Sequence, residues 1–265
     1  MRLQFTDQLG YTINLPSPPK KIISLVPSQT ELLFDLGLDK EIIGITKFCI
    51  HPLEKCKTKV KIGGTKTLNI EQIRAMQPDL IIGNKEENTK EDIELLRKEF
   101  PVWISDVSTL EDAMKTITEI AELVDREPEG AYLNHLINAG FTDLQTLALQ
   151  YRLEPRTIYL MWKDPYMMAA ADTFIGDILM KAGLVNIAKG TRYPETTLEE
   201  LQLLSPELIL LSSEPYPFRD KHISELKSAI PGADVRLIDG EMISWYGSRL
   251  VKTVGYLFDY QKSLK

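Results

Sequence analysis

Cys49-Ile50-His51, with Cys56 five residues past the histidine, is the densest group of soft metal ligands in the chain. Imidazole and thiolate bind cobalt, iron or zinc well. A structural zinc site needs four N or S ligands at tight spacing, whereas at most three lie close here, with no Cys-x-x-Cys pair. A zinc finger is therefore a poor fit. One axial bond from His51 or Cys49 to a metal already held in an organic chelate is the sharper reading. The plainer one has His51 hydrogen-bonded in its loop ahead of Pro52 and Cys49 as a small buried side chain. His135 and His222 show no partner in the sequence. A second pair, Glu86 and Glu214, has the chemistry of a general acid and base or of hard-metal ligands. Ion pairing with Lys85, Arg192, Arg219 or Arg249 would explain the same residues without chemistry.

Glu86 and Glu214 come together because the chain repeats itself. Asn69-Ile70-Glu71-Gln72-Ile73-Arg74-Ala75-Met76-Gln77-Pro78-Asp79-Leu80-Ile81-Ile82 matches Thr197-Leu198-Glu199-Glu200-Leu201-Gln202-Leu203-Leu204-Ser205-Pro206-Glu207-Leu208-Ile209-Leu210 in constant register. Each copy reads as a capping residue, an acid at the second helical position, an apolar-periodic helix, a proline and a buried strand. Glu86 and Glu214 follow the two strands at the same offset. Strand and helix patterns alternate around both copies with short connections, which predicts parallel α/β sheets. Leu3–Phe5 and Tyr11–Leu15 read as a hairpin, and Lys21–Val26 as a buried strand. Ser28 and Glu31 have the spacing of a capping box opening a helix at Leu32. Residues 128–153 read as a helix interrupted near Gly140. The resulting division is an α/β lobe over 1–127, a bridging helix over 128–153 and a second α/β lobe over 154–265, with a ligand cleft expected between the lobes.

The 265 residues are 43% hydrophobic and 26% charged, ordinary for a globular protein. A net charge of −7 argues against a nucleic-acid partner. No apolar run reaches the ~18–20 residues that cross a bilayer. The N-terminus as written lacks a secretory signal, so the chain is expected in the cytoplasm, or in the periplasm or another extracytoplasmic space if a signal has been removed. Phosphate loops, G-x-S-x-G and H-E-x-x-H are absent. Gly63-Gly64-Thr65-Lys66 resembles part of a phosphate loop without its spacing.

Lys21-Ile22-Ile23-Ser24-Leu25-Val26-Pro27-Ser28-Gln29-Thr30-Glu31, the repeated segments, the bridging helix and Phe174–Gly183 resemble the helical-backbone substrate-binding proteins of ABC importers for vitamin B12, haem and ferric siderophores. The similarity covers essentially the whole chain. It is nearest to a signal-less branch at Thr46–Pro52, Gly63–Lys66, Asn84–Asn88 and Asp239–Arg249. The resemblance implies two α/β lobes joined by a rigid helix, ligand held between them, and a surface glutamate on each lobe docking onto arginines of the permease. Glu71 and Glu199 match those glutamates, although the helix dipole alone would account for an acid at either position.

Ligands of parallel α/β units sit beyond the carboxyl ends of the strands. The candidate loops are Phe48–Pro52, Gly63–Lys66, Asn84–Asn88, Trp162–Met168, Glu214–Phe218 and Glu241–Arg249. Phe48, Trp162, Tyr193, Phe218, Trp245 and Tyr246 would wall a bulky planar ligand. Thr65, Lys66, Asn88, Glu241 and Arg249 would orient it, together with Cys49, His51, Glu86 and Glu214. The expected function is capture of a corrinoid or related tetrapyrrole, or else a ferric chelate, by a monomeric, non-enzymatic protein that needs no resident cofactor and is not embedded in a membrane. A cytoplasmic chelatase-like enzyme and an intracellular sensor are the alternatives.

Overall fold

Each copy of the repeat closes its helix on the same backbone feature, a left-handed residue at φ 48° directly before the proline, Gln77 in the first and Ser205 in the second. That cap turns the chain out of the helix and into the next strand. The computed structural model describes residues 3–264. They form two contact units. One runs to Val107 and includes Asp112–His135 and Tyr246–Arg249. The other has Ser108–Glu111, Leu136–Trp245 and the chain from Leu250 on. The first unit thus holds a four-residue segment that the sequence placed in the second lobe.

The first unit opens with the expected antiparallel hairpin of β1 (Leu3–Thr6) and β2 (Thr12–Leu15). There follow β3 (Ile22–Ser24), α1 (Pro27–Asp35), β4 (Ile42–Ile45), α2 (Leu53–Lys57), β5 (Val60–Lys61), the short ribbon of β6 (Gly63–Gly64) and β7 (Thr67–Leu68), α3 (Ile70–Met76), β8 (Leu80–Asn84), α4 (Lys90–Arg97), β9 (Val102–Ser105) and α5 (Leu110–Leu123). The sheet order is β5-β4-β3-β8-β9, every neighbouring pair parallel. Its strands are apolar on both faces, as a doubly covered parallel sheet requires. Ile22, Ile81, Ile82 and Trp103 are buried there, each side chain stabilising by roughly 1.5–3 kcal/mol. The capping box expected from Ser28 and Glu31 does not form. Pro27 starts α1 at its first turn with Val26 as cap, and Ser28 and Glu31 lie inside the helix, facing inward. Proline is pre-set for that position and has no N–H to leave unsatisfied. Gly63-Gly64-Thr65-Lys66 is a tight antiparallel turn rather than a phosphate loop. Gly63 has φ +103°, and a Cβ there would lie 2.3 Å from the Thr67 carbonyl.

Helix α6 (Glu127–Tyr151) runs without interruption through Gly140. The glycine serves packing: a Cβ would come within 2.7 Å of Val254 on α11 (Leu250–Ser263). The second unit continues with β10 (Arg156–Trp162), β11 (Tyr166–Met168), α7 (Phe174–Lys181), β12 (Val185–Asn186), β13 (Glu195–Thr196), α8 (Leu198–Leu204), β14 (Leu208–Ser212), α9 (Asp220–Ala229), β15 (Asp234–Ile238) and α10 (Gly240–Ser244). The strands β12, β10, β14 and β15 are parallel neighbours, and β11 and β13 extend one edge antiparallel. The residues from Trp162 to Met168, read as a loop, are therefore the end of β10, a short turn and β11, which together make a hairpin.

The repeat has a structural purpose at its last acid. Asp79 accepts the backbone N–H groups of Lys20 and Lys21 at 2.9 and 2.8 Å, and Glu207 accepts that of Arg156 at 2.7 Å. Each acid ties the strand that follows it to the start of the strand beside it, β8 to β3 and β14 to β10. The sheet registers match as well, Ile22 opposite Leu80 and Thr157 opposite Leu208.

Candidate functional site

At the carboxyl edge of the first sheet, small polar side chains replace the apolar run. Gln29 Nε2 donates to the Gly83 carbonyl at 3.0 Å and to Ser105 Oγ at 2.8 Å. Asn84 Nδ2 donates to Ser105 Oγ at 3.0 Å, while its Oδ1 receives the N–H groups of Glu86 and Glu87. Asn88 is buried in this network, its Oδ1 taking the Asn84 N–H at 2.9 Å and its Nδ2 donating to the Thr65 carbonyl at 3.0 Å. Asn88 is thus committed to holding the loops, and Thr65 is buried beside it. Lys66 is exposed and donates from Nζ to the Glu86 carbonyl.

Phe48 leaves half of its surface in solvent, 51%, with Lys47 Nζ 5.1 Å from the ring centre. Cys49 is the opposite. Its thiol is buried, 3.1 Å from Thr30 Oγ1 and 3.2 Å from Thr46 Oγ1, and burial raises its pKa. The thiol read from the sequence as a candidate metal ligand thus lies in the interior, packed against two threonine hydroxyls. His51 is half-buried, its carbonyl accepting from the Cys56 thiol at 3.2 Å. Among the described residues no group of three or more His, Cys, Asp or Glu is placed to hold a metal ion.

The segment Tyr246–Arg249 packs into this unit. Arg249 Nε meets Glu31 Oε2 on α1 at 2.7 Å, the side chains only 4% and 2% exposed. Arg249, read from the sequence as a group orienting a ligand, is therefore engaged as a buried anchor with Glu31. Tyr246 is also buried, and burial raises its pKa.

In the second unit Trp162, 40% exposed, stands edge-on to Tyr216 with ring centres 5.7 Å apart. Behind Tyr216 lie Phe218 at 4.7 Å and His222 at 5.6 Å. Phe218 is buried in the apolar core and supports this stack from within. His222 is not partnerless: its Nδ1 accepts the Arg219 N–H at 2.9 Å, and its Nε2 lies 3.4 Å from the Tyr216 hydroxyl. Burial and the neighbouring lysines lower its pKa, so the neutral ring carries its proton on Nε2, facing Tyr216. Tyr216 was not singled out from the sequence, where an aromatic between two prolines was the only signal, and His222 was read there only as a histidine without a partner. Tyr193 is half-buried, with the Arg192 guanidinium 5.8 Å from its ring.

Glu214 takes hydrogen bonds from Trp245 Nε1 at 2.9 Å and Ser244 Oγ at 3.3 Å, where the sequence offered it an arginine. Burial, with nearby Glu241, raises its pKa, and the two donors oppose that rise. Glu241 lies in the first turn of α10, capped by Asp239.

Glu71 and Glu199 both occupy the second position of their helices, solvent-exposed. Their surroundings differ. Glu71 is bonded by Arg74 Nη1 at 2.5 Å, and that guanidinium also binds Glu99. Glu199 has its own backbone N–H and Thr197 as the groups that lower its pKa.

Two equivalent α/β units, each with polar and aromatic groups gathered past its strand ends, define a small-molecule binding protein. The chain belongs to the periplasmic binding protein family, whose pattern it matches over residues 22–234, and that family is made of binding proteins. It is similar to a vitamin B12-binding protein of Vibrio campbellii, 26% identical over 219 residues that cover 81% of this chain and 78% of the relative. An ABC transporter substrate-binding lipoprotein of Bacillus subtilis, itself uncharacterised, is 25% identical over 260 residues, 94% of this chain and 82% of the relative. The crystal structure of the petrobactin-binding protein YclQ of Bacillus subtilis shares the fold, with a TM-score of 0.83 at 18% identity, covering 100% of this chain and 99% of that one.

Proposed function

We propose that this chain is the substrate-binding component of an ABC importer and that its ligand is a corrinoid or related tetrapyrrole, with a ferric chelate second. The observation that carries the reading is exposed aromatic surface at the strand ends of family-defining α/β units: Phe48 in one, Trp162 on its Tyr216 support in the other. Flat apolar faces with a few fixed polar groups suit a large planar ligand. Lys66, Glu86 and His51 supply polar contacts in the first unit, and Tyr193, Glu214, Glu241 and Trp245 in the second. His51 is the residue for an axial bond to the ligand's metal, which arrives as cargo. The similarity to a vitamin B12-binding protein supports the order of ligands.

Delivery is by docking of the monomer onto a permease through Glu71 and Glu199. Family membership supports the extracytoplasmic location over the cytoplasmic one, and no helix among the described residues is long and apolar enough to cross a membrane. The test is an ultraviolet–visible spectrum and native mass spectrum after incubation with hydroxocobalamin, haemin or a ferric siderophore and removal of unbound ligand. One chromophore retained per chain, weakened by Trp162→Ala and Phe48→Ala, is the expected result. No retention of any of the three at micromolar concentration overturns the reading.

A further inference from the structure

Glu214 is a candidate carboxylate whose orientation is fixed by two surrounding side chains. Both donors, Trp245 Nε1 and Ser244 Oγ, go to the same oxygen, Oε1. Oε2 takes no donor from the described residues, and the side chain is half-buried rather than sealed in the interior. The backbone beneath is pinned as well: Ser212 Oγ donates to the Glu214 carbonyl and itself accepts from the buried Tyr159 hydroxyl at 2.7 Å. Gly240 makes the room, since a Cβ there would lie 2.6 Å from Glu214 Cγ and 2.5 Å from Ser212 Oγ. An arrangement that saturates one carboxylate oxygen and leaves the other open costs little reorganisation when a donor arrives.

We propose that Glu214 Oε2 is a selectivity acceptor for an N–H donor on the ligand's periphery. It favours a macrocycle edged with primary amides over one edged with carboxylates. This rests on the tetrapyrrole reading above and narrows it. The chemistry is a matter of sign. An amide N–H meets the open oxygen as a hydrogen bond to a charged acceptor. A ligand carboxylate in the same place brings two like charges together in a half-buried setting, with Glu241 adding a third. A corrin ring carries amide side chains and haem carries propionates, so the same residue separates the two classes.

Glu214→Gln is the decisive variant. Its amide oxygen can still accept from Trp245 and Ser244, which places an NH2 donor where Oε2 was and reverses the preference without a cavity. Affinities at pH 8 are measured for hydroxocobalamin, for each of its monocarboxylic acids with one side-chain amide hydrolysed, and for haemin. In the native protein at least one monocarboxylic acid binds about tenfold or more weakly than hydroxocobalamin, the loss expected for a misplaced charged hydrogen bond. In Glu214→Gln that acid recovers to within about threefold of the parent. A general folding defect would weaken all ligands together and cannot produce that gain. If every acid binds the native protein within about threefold of hydroxocobalamin, or if Glu214→Gln weakens parent and acids by one common factor, the assignment is overturned while the tetrapyrrole reading stands. If the native protein retains none of these macrocycles, both fall.

Discussion

Arg249→Met separates an anchor from a ligand contact. The guanidinium meets Glu31 at 2.7 Å, with both side chains almost fully buried. At an effective dielectric of ~20, two unit charges at that separation attract by about 6 kcal/mol. Desolvation consumes much of this, so the pair itself is nearly neutral against well-packed apolar residues. Breaking it is different. With Arg249 replaced, Glu31 stays in the interior of α1 without its guanidinium partner, a loss of about 3–5 kcal/mol. With a urea m-value of about 2 kcal/mol/M, the unfolding midpoint of the first unit moves down by roughly 2 M. The assay is urea unfolding followed by amide hydrogen exchange in the β3–α1 peptides, which reports this unit alone. The double replacement Glu31→Met/Arg249→Met removes both charges and loses less than either single variant. A single variant costing under about 1 kcal/mol, or a double variant equal to the sum of the singles, would refute the argument. Arg249 would then return to the list of ligand-contacting groups.

Three further outcomes are expected. Burial, then the neighbouring Cys49, pushes the Cys56 thiol from 9.0 up to about 11, so the native protein should react slowly with a thiol reagent at pH 8 and yield both thiols in urea. Because the folded value is the higher one, the stability linked to Cys56 is complete below pH 9 and is lost as pH rises through about 11; fast labelling at pH 8 would contradict this. Asp79→Ala removes two backbone hydrogen bonds and Glu207→Ala one, so at about 1 kcal/mol per bond the first should destabilise its unit more in urea unfolding, and the reverse order would count against the clamp. With a reconstituted permease, Glu199→Gln should reduce stimulation of ATP hydrolysis more than Glu71→Gln, because Arg74 already occupies Glu71; equal losses would show that this pairing opens at no cost.

What the sequence determined by itself was whatever is encoded within a few residues. The cap at Asn69 and the capping box at Thr197, the acids at the second helical position, the prolines, and the strands of Leu80 and Leu208 recur at one spacing, and each follows from local rules of helix ends and hydrophobic period. The α/β architecture and the family resemblance follow from that pattern. Where two local rules competed, the choice was not legible: Ser28 and Glu31 satisfied a capping box on paper, while Pro27 started the helix and turned both inward. Nor did any periodicity announce β11 and β13, which are three residues or fewer and join the sheet only by edge pairing.

Only the tertiary structure decided which candidates face solvent. Glu31 and Arg249 are 218 positions apart, and no spacing rule links them. Cys49 and Phe48 are neighbours in sequence, yet one is sealed against Thr30 and the other is half open. Glu214 found Trp245 rather than an arginine because α10 brings the indole N–H to it across thirty-one residues, past a glycine with no side chain to obstruct. Burial and pairing between distant segments depend on how whole elements pack, and packing is a property of the assembled unit rather than of any window of its sequence.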